Sequence, residues 1–157
     1  MNQPFAALLL AARRERQLVI ATALTDGAPS GQARQARLAQ QQGAGAAELR
    51  ADLLADPAQV RAALTAVRAA SSLPLLLTYR STTEGGKGAG HGQGYEDYLA
   101  SLLQLRPAVA AVDIEMACPA SKALVAEAKA GGYDVVGSCH DFTATPSAAQ
   151  ITQKLAH

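Results

Sequence analysis

Tryptophan is absent from these 157 residues, and Phe and Tyr together make up only 4%. That is too few rings for a platform on which bases stack. No charge dominates: Lys+Arg number 14 against Asp+Glu 13, a net charge of +1. Nothing here attracts nucleic acid or an anionic membrane in bulk, and neither is expected as a partner. The two cysteines, Cys118 and Cys139, form no CxxC and no metal-ligand spacing. A reducing cytoplasm is the simple reading. Long apolar runs are missing too. Phe5 to Ala12 is apolar, but Arg13-Arg14-Glu15-Arg16 follows and no basic residue precedes it. A secretory signal carries its charge on the other side, and the run is too short to span a bilayer. Residues 1–16 therefore read as a helical extension.

The sequence that remains is long enough for one domain with a sizeable core. It alternates apolar runs with helical patterns. Strands are expected over 18–24, 46–53, 74–79, 109–114 and 133–137. Helices are expected over 30–42, 57–70, 95–105, 119–130 and 147–155. Ser30 would cap the first of these and Gly43 would end it. Pro57 starts the next, with Val60, Leu64 and Val67 on one buried face. The strands are continuous apolar runs, as in a parallel sheet covered by helices.

Five βα units fit two folds: an open flavodoxin-like sheet, or the first five units of an incomplete (β/α)₈ TIM barrel. Unit count favours the open sheet. The strand ends favour the barrel, because polar residues follow every strand. They are Thr22 or Thr25, then Glu48 and Arg50, Arg80, Asp113 and Glu115, and finally Ser138 and His140. A barrel gathers such residues from several strands on one face. An open sheet concentrates its site at one crevice. Buried carboxylates such as Glu48 and Glu115 are costly unless paired, so a ring of carboxylates and arginines is expected.

Four separated segments carry a family resemblance. They are Glu48-Leu49-Arg50-Ala51-Asp52; Arg80-Ser81-Thr82-Thr83-Glu84-Gly85-Gly86 after the third strand; Val112-Asp113-Ile114-Glu115; and Gly137-Ser138-Cys139-His140-Asp141-Phe142 with Thr145-Pro146. In this order they resemble the type I 3-dehydroquinate dehydratases, over about residues 17–157. The resemblance implies a (β/α)₈ barrel, usually dimeric, that converts 3-dehydroquinate to 3-dehydroshikimate in the shikimate pathway. It implies no metal and no dissociable cofactor. A lysine on the sixth strand forms an imine with the substrate ketone, and a histidine removes the adjacent proton.

Carried over, His140 resembles the general acid/base, a role suited to an imidazole. Glu84 resembles the carboxylate that orients it. Glu48, Arg50 and Arg80 resemble residues that bind substrate hydroxyls and hold the site's charge balance. Thr22 loosely resembles a first-strand hydroxyl residue. The resemblance also marks a departure. The four lysines are Lys87, Lys122, Lys129 and Lys154, and none follows His140 at the end of another strand. The imine lysine is expected beyond residue 157, as are strands six to eight. Little or no dehydratase activity is expected of this chain alone, with a homodimer or a complementing C-terminal fragment as possible partners.

Blander readings stand beside these. His140 could be an ordinary buried polar histidine, Glu84 a solvent-facing carboxylate and Arg80 a helix-packing ion pair. Glu48 and Arg50, two apart on one strand face, could pair with each other. The run 85–94, GGKGAGHGQG, lacks GxxxxGK[ST] and reads as a flexible surface loop, with no ligand set around His91. Cys139 points away from His140 and is expected to pack against the helices. Two other functions remain open: a non-enzymatic remnant binding a small polyhydroxy carboxylate or a protein, and an open-sheet nucleotide or flavin binder. The last requires the strand order 2-1-3-4-5.

Overall fold

The computed structural model describes residues 4–105 and 109–155. Five strands, β1 (Ala21–Leu24), β2 (Ala46–Arg50), β3 (Leu75–Thr78), β4 (Ala111–Glu115) and β5 (Asp134–Ser138), alternate with helices α2 (Pro29–Gln41), α3 (Pro57–Ala70), α4 (Gln93–Leu103) and α5 (Ser121–Ala130). Helix α1 (Phe5–Glu15) precedes them and α6 (Ala148–Leu155) follows. All pairings are parallel and the order is β1-β2-β3-β4-β5. The flavodoxin-like order 2-1-3-4-5 is thereby ruled out. Consecutive parallel staves are the arrangement of a barrel wall. The sheet is not closed, and β1 and β5 form its edges.

The two faces of the sheet differ. Leu24, Leu49, Leu75, Leu77, Val112 and Ile114 share one core with α2–α5, through Ala36, Val60, Leu64, Val67, Leu99 and Leu124. The cross-strand register places the alternate residues on the opposite face. That inner face has two zones. At its N-terminal end Ala46 and Ala111 pack with Phe5 of α1, and Leu8, Val19, Leu76 and Val136 join them. At its C-terminal end it is polar. The connecting helices α2–α5 all cover one face, and α1 plugs the bottom of the other, which makes this a barrel segment and not a doubly wound sheet.

Local signals set most boundaries. Asp56 caps α3 by accepting the Gln59 N–H at 2.8 Å, and Pro57 occupies the first turn. Gly43, at φ 87°, follows the end of α2. Ser30 does not cap α2: the helix begins at Pro29, one residue earlier, with Ala28 at the cap position. Proline's fixed φ suits that first position. Thr22 also departs from expectation. It is in register with Ala47 and alternates onto the helix-covered face with Leu24, away from Glu48 and Arg50.

Candidate active site at the C-terminal ends of the strands

Arg80, just beyond β3, organises the site. Its Nη1 lies 3.0 Å from Glu115 Oε1, 2.9 Å from Ser138 Oγ and 3.6 Å from Glu84 Oε2. Its Nη2 lies 3.1 Å from Asp113 Oδ1. All four partners are buried or half-buried, and Arg80 itself is buried. One planar fork thus meets three carboxylates, a geometry that lysine could not reproduce.

The carboxylates around it differ. Burial pushes the Asp113 carboxyl up to about 6, only partly countered by Arg80 and by the Ser138 hydroxyl that donates to it at 2.8 Å. Burial pushes Glu115 upward too, but its partners outweigh this and hold it below the usual value. They are the Ser81 hydroxyl at 2.5 Å, the Ser81 N–H at 2.9 Å, the His91 ring and Arg80. Glu115 is therefore an ionised acceptor, and the His91 Nε2 it meets at 2.6 Å carries the proton.

Glu84 sits on a 3₁₀ turn (Thr82–Glu84) capped by the Ser81 hydroxyl, which accepts the Glu84 N–H. Its Oε2 accepts the backbone N–H of His140 at 2.9 Å and lies 2.8 Å from His140 Nδ1. Oε1 is buried without a hydrogen-bond partner. The His140 side chain is 38% exposed, against 3% for Glu84. A buried carboxylate thus fixes a ring whose far edge reaches solvent, the arrangement that suits proton transfer to a bound molecule. Phe142 stacks near that ring at 6.3 Å between centroids.

Arg50 does not pair with Glu48. It makes a two-pronged pair with Asp52, Nε–Oδ1 and Nη2–Oδ2 both at 2.8 Å. Burial would raise the Asp52 carboxyl, but Arg50 and the Lys87 N–H hold it below its ordinary value. Glu48, half-buried on β2, has no hydrogen bond or ion pair among the described residues. Glu48, Arg50, Asp113, Glu115 and Ser138 share the inner face of the sheet.

The glycine-rich segment is not a loose surface loop. Gly86 N–H donates to Ser81 O at 2.7 Å and Gly88 N–H to Arg80 O at 3.0 Å. Lys87 N–H donates to Asp52, Ala89 N–H to the Tyr79 hydroxyl and His91 N–H to the Thr83 hydroxyl. Glycine is needed for this closeness: a Cβ at Gly86 would overlap the Arg80 carbonyl. His91 is thereby folded inward, where ligand atoms of Glu84, His91 and Glu115 lie within 4.8 Å of one another. The expectation of no ligand set around His91 fails, because the loop brings distant residues together. The Arg80 guanidinium already supplies a cation beside both carboxylates, so the charge there does not call for a metal.

Cys139 is exposed, not packed against helices as expected. It lines a cleft with Met116, Gly137, Pro146 and Ile151 of α6. No helix among the described residues is long and apolar enough to cross a membrane.

The family model for type I 3-dehydroquinase matches residues 20–157. The 3-dehydroquinate dehydratase of Methanosarcina acetivorans is 36% identical over 122 residues, which cover 75% of this chain and 50% of that protein. The one from Methanoregula boonei is 38% identical over 128 residues, covering 81% and 54%. The chain thus spans about half the length of the curated relatives it matches. The solved structure of the Enterococcus faecalis 3-dehydroquinate dehydratase superposes with a TM-score of 0.76 at 27% identity, over 86% of this chain and 58% of that one. Sequential parallel staves, one helix-covered face and a polar upper rim agree with that likeness, and the chain belongs to the type I 3-dehydroquinase family.

Proposed function

We propose that the upper rim of β2–β5 binds 3-dehydroquinate and supplies the acid/base half of its dehydration to 3-dehydroshikimate. The observation that carries this reading is the Glu84–His140 pair at the C-terminal strand ends. With Glu84 Oε2 accepting the Nδ1 proton, His140 Nε2 is left with a lone pair. It takes the proton beside the substrate carbonyl and returns it to the departing hydroxyl. Glu48 and Arg50 hold substrate hydroxyls. Arg80 serves with them by balancing the charge of Asp113, Glu115 and Glu84 around the bound molecule.

The family resemblance adds an imine lysine as electron sink. None of β1–β5 carries a lysine: Lys87 lies in the glycine-rich loop, Lys122 and Lys129 on α5 and Lys154 on α6. Without the imine the carbanion-like state is poorly stabilised, so this chain by itself binds the substrate and turns it over slowly or not at all. A second copy or a complementing C-terminal fragment would cover the edges at β1 and β5, and with them Leu18, 95% exposed just ahead of β1. The setting is the cytoplasm.

Two measurements on the purified chain test this reading. Saturating 3-dehydroquinate should perturb the His140 ring signals in an NMR spectrum, and borohydride should then trap no adduct by intact mass. A silent His140 ring would sink the binding site. A trapped adduct would show that one of the four lysines forms the imine, and would sink the claim of low activity.

A further inference from the structure

His91 has no part in the roles assigned so far, yet it is the one residue of the glycine-rich loop whose side chain enters the acidic array among the described residues. Its Nε2–H donates to Glu115 Oε2 at 2.6 Å. Its ring stands edge-on to Tyr95, 5.4 Å between centroids, and its backbone N–H is held by Thr83. A ring nitrogen also comes within 4.8 Å of a Glu84 carboxylate oxygen. The ring therefore adjoins two of the three carboxylates that grip Arg80, Glu115 and Glu84, and Glu84 also grips His140.

We propose that His91 is a positioning residue: its donated N–H latches the loop over the strand ends and fixes the Glu115–Arg80–Glu84 array against which His140 is set. Three observations support the latch. Glu115 Oε2 is shared between the Ser81 hydroxyl and His91, so one carboxylate ties the start and the far side of the loop. The loop's other ties, at Gly86, Lys87, Gly88, Ala89 and the His91 N–H, are all made by its backbone, so the His91 ring is the side chain that joins the loop to the carboxylates among the described residues. The ring is mostly buried between Glu115 and Tyr95, where a lost donor would not readily be replaced by water.

The test compares His91→Gln with His91→Leu in the full chain. Gln can place an N–H donor near the position of Nε2. Leu fills similar space with none, so a role in mere packing would be kept by Leu and not by Gln. The readouts are amide exchange at Gly88, Ala89 and residue 91, and affinity for 3-dehydroquinate. The Leu variant should exchange at those amides roughly tenfold faster or more, with Gln within about threefold of wild type. Affinity should fall about tenfold for Leu and stay within about threefold for Gln. Equal behaviour of the two variants, benign or harmful, would overturn the proposal. If Leu also loses protection at Leu49 and Leu77, it has loosened the fold generally. Gln then decides: wild-type loop exchange upholds the latch, and faster exchange removes it. The affinity arm rests on the binding reading above. A wild-type chain that ignores 3-dehydroquinate sinks that reading, while the exchange arm still decides the latch.

Discussion

One oxygen of Glu84, Oε2, takes both the backbone N–H and the ring Nδ1 of His140, at 2.9 and 2.8 Å. The shared acceptor fixes the ring against its own main chain and selects the tautomer with the proton on Nδ1. In Glu84→Ala that selection is lost, and the neutral ring should revert to the Nε2–H form common in free imidazole. Long-range ¹H–¹⁵N spectra of the histidine rings read this directly. A neutral His140 already protonated on Nε2 in the wild-type chain would contradict the assignment.

Arg80 is the residue whose removal should cost most in the site. Arg80→Met leaves Asp113, Glu115 and Glu84 buried together without their cation. Stranding a buried partner in this way costs about 3–5 kcal/mol. Arg80→Lys keeps the charge but cannot meet Asp113 and Ser138 together, and should lose roughly 1–3 kcal/mol. Urea denaturation should rank wild type, Lys and Met in descending stability. Met as stable as wild type would mean that the array carries no net interdependence.

Asp113 and Glu115 stand two residues apart on one face, yet they should respond to pH in opposite directions. Asp113 has its native value pushed up, by burial first, to about 6 from 3.8. Its ionisation then weakens the fold as pH rises between those values, by roughly 3 kcal/mol once complete. Glu115 is held below its ordinary value: burial raises it, but the Ser81 donors, His91 and Arg80 outweigh burial. Its contribution is present above the ordinary carboxylate range and is lost as pH falls through the native value. Relative to wild type, Asp113→Asn should therefore gain stability as pH rises from about 4 to about 6.5. Glu115→Gln should lose stability relative to wild type as pH rises from the lowered native value of Glu115 up to its ordinary value of 4.5. Denaturation series at several pH values check both slopes. Parallel wild-type and Asp113→Asn curves would refute the first, and parallel wild-type and Glu115→Gln curves the second.

The strand ends were legible because apolar runs stop abruptly at charged residues. Alternation alone then puts Glu48, Arg50, Asp113, Glu115 and Ser138 on one face. Arg80 and His140 follow strand ends in the same way, Glu84 comes from the motif resemblance, and the fold brings the three together. What stayed hidden depended on chain reversal. Nothing local says that Gly86 and Gly88 fold back onto the Ser81 and Arg80 carbonyls, so His91 looked stranded in a glycine run. Arg50 choosing Asp52 over Glu48 reflects the turn after β2, where the 3₁₀ segment Ala51–Leu53 swings Asp52 back under the guanidinium. For the first strand the sequence offers Thr22 or Thr25 without fixing the phase, and in a strand a shift of one residue moves a side chain to the other face, where Thr22 lies.

The attachment of α1 offers a separation between stability and site. No side chain of its own caps this helix: Pro4 stands at the cap position. Asp134, at the start of β5, serves instead by accepting the Ala6 N–H at 2.7 Å. A carboxylate at a helix N-terminus is favoured by the exposed N–H groups and the helix dipole. The residue just before Ala6, Phe5, packs on Ala46 and Ala111 at the bottom of the inner face. Asp134→Ala should cost about 1 kcal/mol, the usual loss for a missing cap. Phe5→Ala should cost about 3 kcal/mol, because a buried ring leaves a cavity on small neighbours. Both losses should appear in urea denaturation and in faster amide exchange within α1. The His140 ring tautomer should stay as in wild type, since Glu84 and His140 stand at the opposite end of the sheet. A changed tautomer in either variant would mean that the apolar plug and the polar rim are coupled through the sheet.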